Sequence, residues 1–125
     1  MLLLVAAVAA IAVPAAVAKR APTATEAKAI RAAVKAYIQK PGSPAAPDNR
    51  VRRIRVSTVD VRYALVTLNS ASAGPSQMGL RKRSSGWKVI AFGSDLGCEF
   101  APAGVVEDLL GVSVCLARPL GKETA

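Results

Sequence analysis

The first 18 residues contain no charged side chain, and this constrains the chain more than any other feature. The segment ends in Ala16-Val17-Ala18, the small-x-small pattern that signal peptidase accepts. Pro14, just upstream, would end a helix and present an extended cleavage site. We therefore expect residues 1–18 to be a signal peptide that is cleaved after Ala18. The remaining residues, 19–125, are enough for one small domain that works outside the cytoplasm.

The charges around this segment support an alternative. No Lys or Arg precedes the apolar run, whereas Lys19 and Arg20 follow it directly. By the positive-inside rule, an uncleaved helix would anchor the protein by its N-terminus and keep the body of the protein cytosolic. The segment is rich in alanine and has only about the minimum length for a membrane span. Secretion after cleavage is the prediction, and an N-terminal membrane anchor is the alternative.

The only two cysteines, Cys98 and Cys115, predict a disulfide bond. An even pair in a small exported domain is most simply bridged. A cysteine nucleophile needs a base to form the thiolate, and a zinc site needs four ligands. Since the chain contains no histidine, neither requirement is met, and we predict no metal and no cofactor.

The lack of histidine also argues against an enzyme. It excludes Ser-His-Asp and Cys-His sites and removes the commonest general base near neutral pH. No nucleophile elbow, Walker loop or dinucleotide-binding glycine motif occurs in the sequence. We therefore predict no catalytic residue.

An amphipathic helix is predicted over residues 24–39. Thr23 and Glu26 form a capping-box pattern at its start, and Pro41-Gly42 would end it. Apolar residues recur behind the box at helical spacing, while basic residues occupy the other positions. The apolar positions are Ala27, Ile30, Val34, Tyr37 and Ile38.

The following part of the chain predicts four antiparallel strands. Residues 51–58 alternate between apolar and basic side chains, and residues 61–69 are apolar at most positions. Residues 78–83 and 87–92 form a hairpin, and a loop of two or four residues keeps the charged and apolar side chains on separate faces. A short helix is predicted over residues 102–110, ended by Gly111.

The predicted fold class is α+β. An N-terminal amphipathic helix packs on a four-stranded antiparallel curved sheet, and a short disulfide-tied C-terminal helix follows. The domain covers residues 19–118, and a flexible tail covers residues 119–125.

The helix Thr23–Gln39 and the hairpin Leu80–Ile90 give this arrangement a resemblance to the cystatin-like and NTF2-like cone superfamily, over residues 23–93. Composition and the cysteine pair are also similar to those of small secreted proteins from high-GC bacteria. The resemblance implies a cone cavity between helix and sheet. Its candidate lining residues are Tyr37, Tyr63, Leu65 and Trp87.

Charge is the remaining signal. The formal net charge is +9, and residues 19–83 carry 14 of the 17 basic side chains but 3 of the 8 acidic ones. Strand alternation predicts one solvent-facing basic patch, which would attract polyanions. Its members are Arg53, Arg55, Arg81, Arg83 and Lys88.

The predicted function is therefore a small exported, non-enzymatic domain that binds a protein partner or anionic envelope components, either polymers or lipid head groups. With only five aromatic residues, the sequence argues against specific nucleic-acid binding. Three alternatives stay open. The domain binds a small ligand (or is a minimal enzyme) with the cone cavity, it is a membrane-anchored protein, or the basic face only keeps the protein soluble.

Overall fold

The computed structural model describes residues 19–111, which form one five-stranded antiparallel sheet and two helices. In chain order the elements are β1 (Lys19–Arg20), α1 (Ala24–Gln39), β2 (Arg50–Ser57), β3 (Tyr63–Ser70), β4 (Gly74–Arg83), β5 (Gly86–Gly93) and α2 (Ala103–Leu110). The strands lie in the sheet in the order in which they follow one another along the chain. Every neighbouring pair is antiparallel.

The predicted four-stranded sheet is wrong, because β1 adds a fifth strand. Lys19 pairs with Ser57, and Arg20 pairs with Val56. A strand of two residues is too short to show an alternation of apolar and polar side chains, so its sequence carries no strand signal. It forms because the chain runs beside the end of β2 before it enters α1.

The first helix agrees with the prediction in both position and cap. Thr23 accepts a hydrogen bond from the Glu26 amide, and the Glu26 carboxylate accepts one from the Thr23 amide. Arg20 adds a bidentate ion pair to the same carboxylate, with N–O distances of 2.8 and 2.9 Å. This ion pair therefore joins β1 to the first turn of α1.

Alternate residues of β3 belong to two apolar clusters, which lie on opposite faces of the sheet. Ala64, Val66 and Leu68 belong to the larger cluster, which lies beneath α1, whereas Tyr63 and Leu65 belong to the smaller one, which lies beneath α2. The other buried members of the α1 cluster are Ile30, Val34, Ala45, Ile54, Val56, Met78, Leu80 and Trp87. The other buried members of the α2 cluster are Val105 and Leu109.

The predicted disulfide-tied C-terminal helix also needs correction. The helix itself is present and ends at Gly111, whose positive φ of 74° suits glycine. Cys98 is half-buried and is not a free thiol, but Cys115 lies outside the described residues. Residues 19–111 therefore include no pair of cysteines, and the predicted tie between the helix and the sheet is not among their contacts.

A buried carboxylate holds α2 in place. Asp108 is 7% exposed and accepts hydrogen bonds from the Ser57 hydroxyl and the Thr58 amide, both at 2.7 Å. The Val59 amide donates to the same carboxylate at 3.3 Å. These bonds join the middle of α2 to the end of β2.

The remaining expectations about chain organisation concern residues outside the described part. The signal peptide (residues 1–18) and the tail (residues 119–125) lie there, as does the C-terminal boundary of the domain. Within residues 19–111, neither helix has the length and apolar character needed to cross a bilayer.

Candidate anion-binding site

Strand β2 has an open edge beside α1. Its pairing with β1 ends at Arg20, after which Pro22 lies just before the helix. On that side, the backbone from Arg50 to Arg55 therefore has no neighbouring strand in the described part of the chain. A β-bulge interrupts the other side of β2, because Val51 pairs with Leu68 and Arg53 pairs with Thr67, which leaves Arg52 as the extra residue.

Four arginines line the groove between this edge and α1. The groove has a volume of about 300 Å³. We call it the arginine groove; its lining residues are Pro22, Ala27, Arg31, Arg52, Arg53, Ile54 and Arg55. None of these side chains is a carboxylate, so the groove presents positive charge without an acidic neighbour in its own lining.

The guanidinium groups of the groove are available to a ligand. Among residues 19–111 the ion pairs are Arg20–Glu26 and Arg62–Asp60, and neither includes a groove arginine. Arg31, Arg52 and Arg53 are exposed, whereas Arg55 is half-buried and donates to the Ile54 carbonyl at 3.0 Å. Positive charges without internal partners attract anions from solution more strongly than charges already paired.

The strand register places all five basic residues of the predicted patch on one face of the sheet, the face that α2 covers, but they line different grooves. Arg53 and Arg55 line the arginine groove. Arg81 and Arg83 line a second groove of about 610 Å³, which shares no lining residue with the first. Lys88 lies opposite Arg81 in the β4–β5 pair but lines a third groove, beside Trp87.

The α2 cluster explains this division. Arg55 lies opposite Leu65 and Arg81 lies opposite Tyr63, so both of these neighbours on β3 are apolar and buried. Arg81 also stacks over the Tyr63 ring, with 5.6 Å between its guanidinium carbon and the ring centre. The apolar residues and the helix that covers them therefore occupy the sheet face between the two basic groups.

Sequence reasoning missed two residues of the arginine groove, Arg31 and Arg52. Arg31 belongs to the outer face of a predicted helix, where a basic residue has no special meaning. The strand pattern around Arg52 departs from strict alternation. Val51 and Ile54 are both apolar and both pack on the α1 cluster, although alternation would put them on opposite faces. An extra residue between them restores the pattern, and that residue is Arg52.

The four residues proposed to line a cone cavity do not surround one space. Tyr63 and Leu65 belong to the α2 cluster, whereas Trp87 belongs to the α1 cluster and Tyr37 packs against it. Tyr37 lies next to Phe92, with ring centres 6.0 Å apart. Their positions on opposite faces of the sheet weaken the small-ligand interpretation.

Acidic side chains form no metal-binding group in the described region. No cluster of three or more His, Cys, Asp or Glu side chains occurs within residues 19–111.

Asp48, one of the acidic side chains, accepts hydrogen bonds from the Ser70 hydroxyl and the Ser72 amide. These bonds lower the pKa of the Asp48 carboxyl group, and the bond from the Ser70 hydroxyl contributes most. Asp48 therefore joins the connection after α1 to the β3–β4 turn.

No protein-family model, curated protein or solved structure matches the chain. The resemblance to the cystatin-like and NTF2-like superfamily over residues 23–93 therefore stays a prediction. Any functional interpretation rests on the surface chemistry described above.

Proposed function

We propose that this chain is a non-catalytic domain that works outside the cytoplasm and binds anionic polymers of the cell envelope through the arginine groove. One observation carries the proposal: Arg31, Arg52, Arg53 and Arg55 line a single groove whose lining includes no carboxylate. Repeated negative charges along a polymer can contact several guanidinium groups at once. Guanidinium groups suit this role because they stay charged and offer forked donors to phosphate and carboxylate oxygens.

The charge distribution supports this proposal at longer range. All of the excess positive charge lies in residues 19–83, which include α1 and the first four strands, because the rest of the chain has more acidic than basic side chains. Such a field steers a polyanion toward the domain and raises the association rate at low salt. A polymer ligand also needs no enclosed pocket, which agrees with an open groove at a strand edge.

Edge protection is a competing explanation for the same arginines. Charged side chains and a β-bulge keep an exposed edge strand from pairing with another copy of the protein. Both explanations require arginine at Arg52 and Arg53, but only the binding proposal requires Arg31, which lies on the helix across the groove. Arg31 is therefore the position at which the two explanations differ.

Binding to a defined polymer tests the proposal. Linear polyphosphate is the probe, and isothermal titration calorimetry measures its affinity for the parent and for Arg31→Gln/Arg53→Gln. We expect the double variant to bind about tenfold more weakly, because two of four phosphate contacts are removed. The control is Lys28→Gln/Arg50→Gln, which changes the net charge equally at two exposed positions outside the groove.

The control should bind almost as well as the parent. Equal losses in both double variants would show that only net charge matters, and a parent that does not bind polyphosphate would overturn the proposal. Thermal unfolding of each variant checks that the fold is kept, since exposed charges contribute little to stability.

A further inference from the structure

The turn between β2 and β3 exposes two large apolar side chains at one end of the domain. Val59 is 62% exposed and Val61 is 53% exposed, and these are the exposed large hydrophobic residues within the described part of the chain. A single exposed valine needs no explanation. Val59 and Val61 lie within three residues of each other on the same turn, which we call the apolar tip.

Hydrogen bonds fix the backbone of this turn, and both valine side chains are exposed on it. The Ser57 hydroxyl accepts hydrogen bonds from the Val59 and Asp60 amides at 3.0 and 3.1 Å. Asp60 in turn accepts from the Arg62 amide and guanidinium group, at distances of 2.7–3.0 Å. Together with the Asp108 bonds, these contacts fix the turn to both β2 and α2.

Basic side chains lie beside this apolar tip. Val61 lines the groove of about 610 Å³ together with Arg62, Arg81, Lys82 and Arg83. The Lys82 amide donates to the Arg62 carbonyl at 2.7 Å, which joins the turn to the β4–β5 hairpin. Within residues 19–111, the side chains of Arg81, Lys82 and Arg83 form no ion pair.

Two carboxylates in the neighbourhood of these basic residues already have partners. Glu26 lines the same groove but pairs with Arg20, and Asp60 pairs with Arg62. The positive charges of Lys82 and Arg83 therefore face solvent, since both side chains are exposed. An occupant of this surface must supply negative charge around an apolar centre.

The chain also enters the fold at this end. Lys19 pairs with Ser57, the residue that precedes the valine-bearing turn, and it directly follows the uncharged residues 1–18. Lys19 therefore adds a basic residue at this end of the domain.

We propose that this end of the domain docks on anionic lipid bilayers, with Val59 and Val61 entering the boundary between head groups and acyl chains and Lys82 and Arg83 contacting lipid phosphates. Weak, additive contributions of this kind are typical of peripheral membrane binding. Two valines are too small for a stable protein interface, which buries about 800 Å² on each partner. The inference concerns a different surface from the arginine groove and does not depend on polymer binding.

Tryptophan placed in the turn reports docking directly. Emission of Val61→Trp is measured in the full chain with vesicles of equimolar phosphatidylglycerol and phosphatidylcholine, and with vesicles of phosphatidylcholine alone. Native Trp87 is 7% exposed and gives a constant background. We expect a blue shift and quenching by brominated lipids with the anionic vesicles. Ala32→Trp, on the exposed side of α1, is the control and should show neither change.

Charge variants separate this surface from the arginine groove. In the Val61→Trp background, Lys82→Gln/Arg83→Gln should weaken vesicle binding about 25-fold, since each basic residue near an anionic bilayer contributes a factor of about five. Arg31→Gln/Arg53→Gln should weaken it far less. An unchanged emission at position 61 would overturn the proposal. Equal shifts at positions 32 and 61, or a larger loss from the groove variant, would overturn it as well.

Discussion

The two faces of the sheet are held by different physical means. The α1 face depends on an extended apolar cluster of eleven buried residues, whereas the α2 face has four and adds the buried Asp108 carboxylate. A large apolar cluster distributes its stabilisation over many contacts, so no single polar bond decides it. A small cluster needs a directed contact, and Asp108 supplies it. Helix α2 and the attached turn therefore depend more on a single polar side chain than α1 does.

The largest effect is expected from a truncation in the α1 cluster. Leu68 is fully buried in that cluster and lies on the central strand β3. Leu68→Ala should lower the free energy of unfolding by about 2–5 kcal/mol, because it removes apolar contacts and leaves a cavity. Since β3 serves both clusters, urea denaturation should show both faces unfolding together. Loss of α1 with retention of α2 would contradict the comparison.

Removal of the Asp108 carboxylate should have a smaller and more local effect. Asp108→Ala leaves the Ser57 hydroxyl and the Thr58 amide without their buried acceptor, which costs about 1–3 kcal/mol. Amide hydrogen exchange should accelerate in α2 and in residues 58–60, while the amides of α1 stay protected. Asp108→Asn keeps one acceptor oxygen and is the matched control, for which we expect an intermediate effect. Equal acceleration in both helices would show that the two faces are not separately held.

The smallest effect concerns pH and the start of α1. The hydrogen bond from Arg20 lowers the pKa of Glu26 from an ordinary value of 4.5 to about 2. The folded-state pKa is depressed, so the stabilisation is complete above pH 4.5 and is lost as the pH falls toward 2. After allowance for solvent screening of this partly exposed pair, we expect a loss of about 1 kcal/mol.

A comparison with Glu26→Gln measures this contribution. Unfolding free energies of the two proteins should converge as the pH approaches 2, because the parent loses the charge that the variant never had. The difference should be constant above pH 5. A difference that does not change with pH would show that the ion pair contributes nothing that depends on the Glu26 charge.

Local signals in the sequence were sufficient for α1 and for the four longer strands. The capping box at Thr23 and Glu26 lies within four residues of chain, and its pattern is specific. The hairpin loop also has the expected two-residue length, since Arg83 pairs with Gly86. These features depend on neighbours in the chain, which is why the sequence predicts them.

Features that depend on distant contacts were missed. The two-residue β1 exists only through its pairing with the end of β2, and the burial of Asp108 depends on Ser57, which is 51 residues earlier. A bulge between Gly79 and Leu80 shifts the β4–β5 pairing, so Phe92 packs on the α1 cluster, although alternation predicts the basic face. Helix α2 also covers the sheet face between the two pairs of arginines in the predicted basic patch, and a strand pattern does not show that cover.

The salt dependence of polyphosphate binding tests the central claim most directly. For a ligand held by four guanidinium groups, the logarithm of the affinity should fall linearly with the logarithm of the salt concentration. Arg31→Gln/Arg53→Gln should reduce the magnitude of that slope by about 2, one for each lost phosphate contact, while Lys28→Gln/Arg50→Gln leaves it almost unchanged. Equal slopes for the parent and both variants would show that the arginine groove is not the binding site.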